Sequence, residues 1–214
     1  MAVAGVAAQK KSGETVSGDA GTYFKRPDGI LFLLLCDGMG SGSAANRESS
    51  LAIRLLEEFL RAGVDTCHAL ATLASALALR GEENGGFTTV DLLQVDLFSG
   101  EGELFKLGAA PTYVRQGASV RRLAGSSLPA GLAEGSPAAF DRFPLHLAPG
   151  DWVVMASDGV CGAGEDRWLM DKLRAFDGPS PKDLARTLLT DSAQDATDDR
   201  TVLVLRIDRR NASS

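Results

Sequence analysis

Hydrophobic positions along the chain change their period several times, and each change predicts a different element. Residues 30–36 form an uninterrupted apolar run of seven, which is typical of a strand buried on both faces. From Ser43 to Arg61 apolar residues return every three or four positions, and the same spacing recurs from Asp65 to Arg80. The pattern therefore predicts a central strand followed by two consecutive helices.

The remainder of the chain returns to strands. Between Phe87 and Leu123 the period drops to two, with glycine or proline between short segments, and this predicts an antiparallel meander. The elements predicted after it are a buried strand at 152–157, a helix around 169–176, a helix that Ser180 caps, and a strand at 201–207. A meander with inserted helix pairs indicates one α+β domain, spanning 1–214, in which helices cover the sheets.

Composition excludes several classes of function. The 22 basic and 28 acidic residues give a formal charge of −6, so the chain lacks the positive surface that nucleic acid binding requires. Its apolar runs fall far short of the roughly 20 residues of a spanning helix. Three cysteines at no metal-like spacing favour a reducing compartment. We therefore expect no nucleic acid partner, no membrane contact by this segment, and a cytoplasmic location.

Four aspartates lie where predicted strands begin or end. They are Asp19, Asp37, Asp158 and Asp198. If the strand at 201–207 runs antiparallel to the strand at 152–157, Asp198 lies beside Asp158, and Asp37 can join them from the same edge. Carboxylates this close repel one another unless hard divalent cations lie between them. Because oxygen-only ligands are typical of Mg²⁺ and Mn²⁺, the sequence predicts a site for such ions.

The aspartate–glycine pairs have a simpler interpretation as turns, which is the usual role of this dipeptide. The segment 37–42 carries more glycine than a hairpin requires, however, and it leads into a helix. Glycine lets the backbone come close to a ligand, so a carbonyl of this loop can face a cation.

The motifs come in an order that resembles a known family. They lie at 17–19, 37–42, 87–92, 108–112, 128–132, 156–159 and 197–201. The chain resembles the metal-dependent protein phosphatases of the 2C type, most closely the phosphatase domains of the bacterial stage II sporulation protein E group, from about Val3 to Ile207. The resemblance implies a four-layer α-β-β-α sandwich of two antiparallel sheets flanked by helices.

The same resemblance implies a centre of two Mn²⁺ or Mg²⁺ ions that activates a water to attack phosphoserine or phosphothreonine. Asp37 would bridge both ions and, with Asp158, form the catalytic pair. The Gly38 carbonyl and Asp19 would lie on one ion, with Asp158 and Asp198 on the other. Asp199 follows directly, so the sequence leaves open which acid of this pair is the ligand, with Asp198 preferred as the first of the two.

Partners and regulation also follow from the resemblance. The implied substrate is a phosphorylated anti-sigma-factor antagonist, and the implied regulatory switch is the helix pair within Ser43 to Arg80. The group that holds the substrate phosphate is unassigned, although Lys10 and Lys11 lie near in sequence. We expect either the cytoplasmic domain of a larger membrane-anchored protein or a shorter relative, with a homodimer as one alternative for its assembly.

Three other interpretations compete with this one. Gly40, Gly42 and Ala45 fit the dinucleotide-binding fingerprint, but a second helix follows where a crossover strand should be. Cys161 and Arg167 have the spacing of covalent tyrosine phosphatases, but two acidic residues lie between them, where a reactive thiol needs positive surroundings. The third alternative is a domain of the same fold that binds a partner without catalysis.

Overall fold

The apolar run at 30–36 forms a central strand of one of two antiparallel sheets in the computed structural model, which describes residues 1–84, 86–132, 139–161, 166–192 and 197–209. The first sheet has the order β1-β10-β9-β6-β7, and the second has the order β2-β3-β4-β5-β8. The strands are β1 Ala2–Gln9, β2 Asp19–Lys25, β3 Ile30–Asp37, β4 Val90–Asp96, β5 Glu101–Leu107, β6 Thr112–Gln116, β7 Ser119–Leu123, β8 Asp141–His146, β9 Trp152–Ala156 and β10 Arg200–Ile207. The helices are α1 Gly42–Arg61, α2 Thr66–Asn84, α3 Asp158–Cys161, α4 Arg167–Ala175 and α5 Pro181–Asp191.

Strand β3 shows why this chain folds in four layers. Leu31, Leu33 and Leu35 belong to the apolar cluster between the two sheets, whereas Phe32 and Leu34 belong to the cluster beneath α1 and α2. The strand is therefore buried on both faces, as its continuous apolarity predicted. A third apolar cluster joins the outer face of the first sheet to α4 and α5. The predicted α-β-β-α sandwich of two antiparallel sheets is confirmed.

The long elements lie close to their predicted positions. Helix α1 begins one residue before the predicted start, and α2 extends beyond Arg80 to Asn84. The Ser180 side chain accepts a hydrogen bond from the Asp183 backbone N–H at 3.2 Å, so the predicted cap of α5 is present. None of the helices in the described part of the chain combines the length and apolarity needed to span a membrane.

The topology excludes the dinucleotide-binding alternative. Strand β3, which precedes the glycine loop, pairs antiparallel with both β2 and β4. A dinucleotide-binding unit needs parallel strands joined by a crossover helix, with its phosphate loop at the switch in strand order. The interpretation of Gly40, Gly42 and Ala45 as a dinucleotide fingerprint is therefore wrong.

The sequence of strand β1 shows no clear strand pattern, because most of its residues are small. The packing of the strand explains why they are small. The strand lies against the N-terminal end of α5, and a Cβ built on Gly5 would come within 2.3 Å of the Lys182 backbone nitrogen and 2.5 Å of the Pro181 carbonyl carbon. Real side-chain atoms do not approach backbone atoms so closely. The close contact between β1 and α5 therefore requires glycine at this position.

We expect Gly5→Ala to lower the free energy of unfolding by about 1–3 kcal/mol, because the added methyl group must push α5 away from the sheet. The measurement is urea denaturation in EDTA. The control is Ala8→Val, at an exposed position of the same strand, where the expected change is within about 0.5 kcal/mol. Equal denaturation midpoints for Gly5→Ala and the wild type would show that the contact is not tight.

Candidate metal centre

Strands from both sheets bring the four predicted aspartates to one end of the sandwich. Asp19 begins β2 and is the register partner of Asp37, which ends β3, so these two acids belong to the second sheet. Asp158 follows β9 with one residue between them and begins α3, while Asp198 precedes β10, and both strands belong to the first sheet. The predicted antiparallel pairing of these two strands is confirmed.

One part of the expected placement is wrong. Asp37 does not join Asp158 and Asp198 from the same edge of one sheet, because β3 lies in the other sheet. It reaches them across the interior of the sandwich. Asp37 and Asp158 nevertheless line one cavity of about 30 Å³, together with Thr89, Ser157 and Asp91.

The acids interact strongly. The pKa of Asp37 is raised to about 9. Burial is the largest cause, and the negative charges of Asp19, Asp158 and Asp198 and a hydrogen bond with Asp158 add to it. In the metal-free protein at neutral pH, Asp37 is therefore protonated and can donate a hydrogen bond to Asp158. A divalent cation favours loss of this proton because it attracts the ionised carboxylate.

Asp19 lies deepest of the four acids, with 7% of its surface exposed. Burial raises its pKa to about 6, and the nearby hydroxyl groups of Ser157 and Thr201 oppose that rise, although neither meets hydrogen-bond geometry with the carboxylate. Both of its carboxylate oxygens are buried and neither has a hydrogen-bond partner among the described residues. Such oxygens are costly unless something compensates them, and a hard cation with oxygen ligands fits this donor set.

The approach to the centre is open, since the side chains of Asp158 and Asp198 are exposed to solvent. Within the described residues, no three acidic, histidine or cysteine side chains have the arrangement of a formed metal site. Ion binding would therefore need a rearrangement of the carboxylates in addition to loss of the proton on Asp37.

The backbone around Asp37 is held rigidly. Its N–H donates to the Thr89 hydroxyl at 3.1 Å, and its carbonyl accepts from the Thr88 hydroxyl at 2.7 Å and from the Thr89 N–H at 2.9 Å. A Cβ on Gly38 would lie 2.1 Å from the Ala45 carbonyl oxygen, so only glycine lets the loop pack against α1. The segment Phe87 to Leu92, singled out by sequence, thus positions Asp37.

The adjacent acids Asp198 and Asp199 have different surroundings. Asp199 is buried, and its two oxygens accept hydrogen bonds from the backbone N–H groups of Lys11 and Gly18, each at 2.8 Å. Asp198 is exposed and accepts only from the Asp199 backbone N–H, at 2.9 Å, among the hydrogen bonds described. Asp199 therefore fixes the loop that leads to Asp19, whereas Asp198 is free to face an ion.

The basic residues that precede Asp19 in sequence, Lys10 and Lys11, belong to the same loop. The Lys10 ammonium donates to the Glu14 carbonyl, and the Glu14 carboxylate accepts from the Ser41 hydroxyl at 3.0 Å. These contacts connect the loop before β2 to the glycine loop that follows β3. They leave the phosphate-binding group unassigned.

The cysteine of the alternative phosphatase motif is poorly suited to act as a nucleophile. Burial raises the pKa of the Cys161 thiol to about 11. The Tyr113 hydroxyl lies 3.6 Å from its sulfur and donates to Asp166 at 2.6 Å. Residues 162–165 of that motif lie outside the described residues.

Sequence reasoning missed a buried polar group next to the centre. Asp91 on β4 lies directly opposite Lys106 on β5, and their charged atoms are 2.8 Å apart. Both side chains are almost fully buried. Each interrupts an apolar strand, which is the one signal that could have identified them, but the pairing depends on a hairpin register that periodicity does not give.

The two antiparallel sheets and their flanking helices have the architecture of PP2C-type phosphatase domains. A family model described as stage II sporulation protein E (SpoIIE) matches residues 27–208, and the chain belongs to this family. It is 31% identical to stage II sporulation protein E of Bacillus subtilis (strain 168) over 95% of its own length, and it spans about a quarter (25%) of that protein.

Solved structures agree with this assignment. The structure of the PP2C phosphatase domain of SpoIIE from Bacillus subtilis, with a fragment of its regulatory domain, superposes with a TM-score of 0.88 at 29% identity, covering 99% of this chain and 64% of that one. RsbX in complex with magnesium gives a TM-score of 0.78 at 18% identity, covering 97% and 96% of the two chains, and shows likeness of fold.

The raised pKa of Asp37 predicts a pH dependence of stability. In the unfolded chain this group titrates near pH 4, whereas in the metal-free folded protein its pKa is about 9. The folded state then binds more protons between these values, so stability falls as pH rises through this window. In EDTA at pH 7.5, Asp37→Asn should be more stable than the wild type by at least about 1 kcal/mol, and the difference should shrink toward pH 5.

Urea denaturation at the two pH values measures this difference. The matched control is Asp171→Asn on the exposed face of α4, which should leave the wild-type pH dependence unchanged. A wild-type protein and an Asp37→Asn variant with parallel stability–pH curves would contradict the proposed protonation of Asp37.

Proposed function

We propose that this domain hydrolyses phosphoserine or phosphothreonine on a protein, using a water activated by two Mn²⁺ or Mg²⁺ ions. The observation that carries the proposal is the convergence of Asp19, Asp37, Asp158 and Asp198 from two sheets, with both oxygens of Asp19 buried and without a hydrogen-bond partner in the described part of the chain. Membership of the SpoIIE family supports it. The magnesium named with the fold neighbour RsbX is consistent with the choice of ion.

Each residue has a separate role in this proposal. Asp37, which interacts with acids of both sheets, would bridge the ions after losing its proton. The Gly38 carbonyl and Asp19 would hold one ion, and Asp158 and Asp198 the other. When bound, such an ion pair supplies a water that is acidic enough to deprotonate near neutral pH, and it offsets charge on the phosphoryl oxygens. Asp37 and Asp158 are therefore the catalytic pair, and the chain needs no nucleophilic side chain.

The proposed substrate is a phosphorylated anti-sigma-factor antagonist, in the cytoplasm, as the family resemblance implies. The chain covers only a quarter of the curated Bacillus subtilis relative, so this assignment concerns the catalytic domain. The alternative, a domain that binds such a partner without catalysis, has the same fold and differs only in turnover.

Helices α1 and α2 are proposed as the regulatory switch within Ser43 to Arg80. Helix α1 packs on β2 and β3, the strands that carry Asp19 and Asp37. Its backbone at Ala45 lies directly against Gly38. A shift of α1 would therefore move a carbonyl proposed to bind metal, which gives a partner that contacts these helices a route to control ion affinity.

The central test is hydrolysis of para-nitrophenyl phosphate and of a phosphoserine protein, with and without Mn²⁺. Asp37→Asn and Asp158→Asn should each lower kcat by at least about 100-fold, because each removes a charged ligand of the ion pair. Asp171→Asn is the matched surface control and should retain full activity. Undiminished turnover in the two site variants would reject the mechanism, and absence of turnover in a Mn²⁺-loaded wild type would favour the partner-binding alternative.

The roles of the adjacent acids can be separated by two variants. Asp198→Asn should raise the Mn²⁺ dissociation constant at least about tenfold with little change in metal-free stability. Asp199→Asn should instead lower metal-free stability by about 1–3 kcal/mol, since one backbone N–H loses its acceptor. Calorimetric titration with Mn²⁺ and urea denaturation in EDTA measure the two effects. The reverse pattern would make Asp199 the ligand.

A further inference from the structure

A buried polar triad connects the two sheets beside the proposed metal centre. It consists of Asp91 on β4, Lys106 on β5 and Thr112 at the start of β6. The Lys106 ammonium lies 2.8 Å from Asp91 Oδ2 and donates to the Thr112 hydroxyl at 2.9 Å. The Thr112 hydroxyl donates to the same Asp91 Oδ2 at 2.5 Å. All three residues are at most 1% exposed.

The two carboxylate oxygens of Asp91 differ in their hydrogen bonding. Oδ2 accepts both donors of the triad, whereas Oδ1 is buried and has no hydrogen-bond partner among the described residues. A buried carboxylate oxygen without a partner carries a large desolvation cost. The triad offsets this cost only at Oδ2, so Oδ1 needs a hydrogen-bond donor from a ligand or a water.

The surroundings of Asp91 identify that ligand. Asp91 lines the cavity of about 30 Å³ that also contains Asp37 and Asp158, with the Thr89 and Ser157 side chains in its wall. Leu35 and small residues such as those of the segment 108–110 line the rest of this cavity. Its volume suffices for about two waters, since each needs roughly 10–15 Å³ and two or more polar partners, which the carboxylates and hydroxyls can supply. The shared cavity thus gives a water a path from Asp91 to the carboxylates proposed to hold the ions.

We propose that Asp91 is a positioning residue for the metal centre, whose Oδ1 accepts a hydrogen bond from a water that hydrates the ion held by Asp37 and Asp158. The inference rests on the proposed function. Asp91 does not bind the ion itself, because the strong donors Lys106 and Thr112 hold its other oxygen between the sheets. Groups that orient ligands in this way commonly change metal affinity by about 10–100-fold.

The decisive variant is Asp91→Leu/Lys106→Met, which removes both charges of the pair together. Replacing a buried ion pair by apolar residues often preserves stability, so the protein should fold with a melting temperature in EDTA within about 5 °C of the wild type. Its Mn²⁺ dissociation constant, measured by calorimetry and by water-proton relaxation, should rise about 10–100-fold. The matched control is Glu103→Leu/Arg142→Met, which removes an exposed ion pair between β5 and β8 and should leave Mn²⁺ affinity unchanged.

A single variant keeps the test valid if the double variant does not fold. In Asp91→Asn the amide oxygen should face Lys106 and Thr112, which turns the cavity-facing atom from an acceptor into a donor. The same loss of Mn²⁺ affinity is expected. A folded variant that binds Mn²⁺ within about threefold of the wild type would overturn the role of Asp91 and leave the proposed function intact. A wild type that binds no Mn²⁺ would overturn both.

Discussion

Electrostatic repulsion between carboxylates carried by two different sheets is the constraint on which the site depends. Asp37 ends a strand of the second sheet, while Asp158 and Asp198 flank strands of the first. Packing the sheets face to face brings these acids to one end of the sandwich, where the partial burial of Asp37 weakens the solvent screening of its charge. Burial first, and then the charges of the neighbouring acids, raise the pKa of Asp37. The repulsion is relieved either by a proton on Asp37 or by a cation between the acids, so the same feature destabilises the metal-free fold and creates ion affinity.

Such a site persists only if the backbone prevents the acids from moving apart. Three sets of hydrogen bonds and contacts serve this purpose. Thr88 and Thr89 hold the backbone of Asp37, and the Gly38 backbone packs against α1. Asp199 binds the backbone of the loop before Asp19. The acid that looks redundant in sequence therefore stabilises the geometry in which its neighbour can act.

The sequence was informative wherever one local pattern determined the outcome. Periodicity predicted β3, α1 and the capped start of α5, and the aspartates at strand ends were found to meet. Sequence patterns failed where tertiary packing determined the structure. Strand β1 has small residues because α5 lies against Gly5, and small residues have no strong strand propensity. The placement of Asp37 in the opposite sheet depends on strand order, which no local pattern encodes.

The triad of Asp91, Lys106 and Thr112 has a consequence for how the two sheets are aligned. The cluster between the sheets consists of leucine, valine, isoleucine and methionine side chains, with Phe143 packed at its edge, and contacts of this kind are non-directional. They favour burial but tolerate small displacements of one sheet over the other. The triad is directional, because its hydrogen bonds weaken steeply with distance and angle. Since metal ligands must be placed to within a fraction of an ångström, a directional link beside the site supplies the alignment that the apolar core cannot.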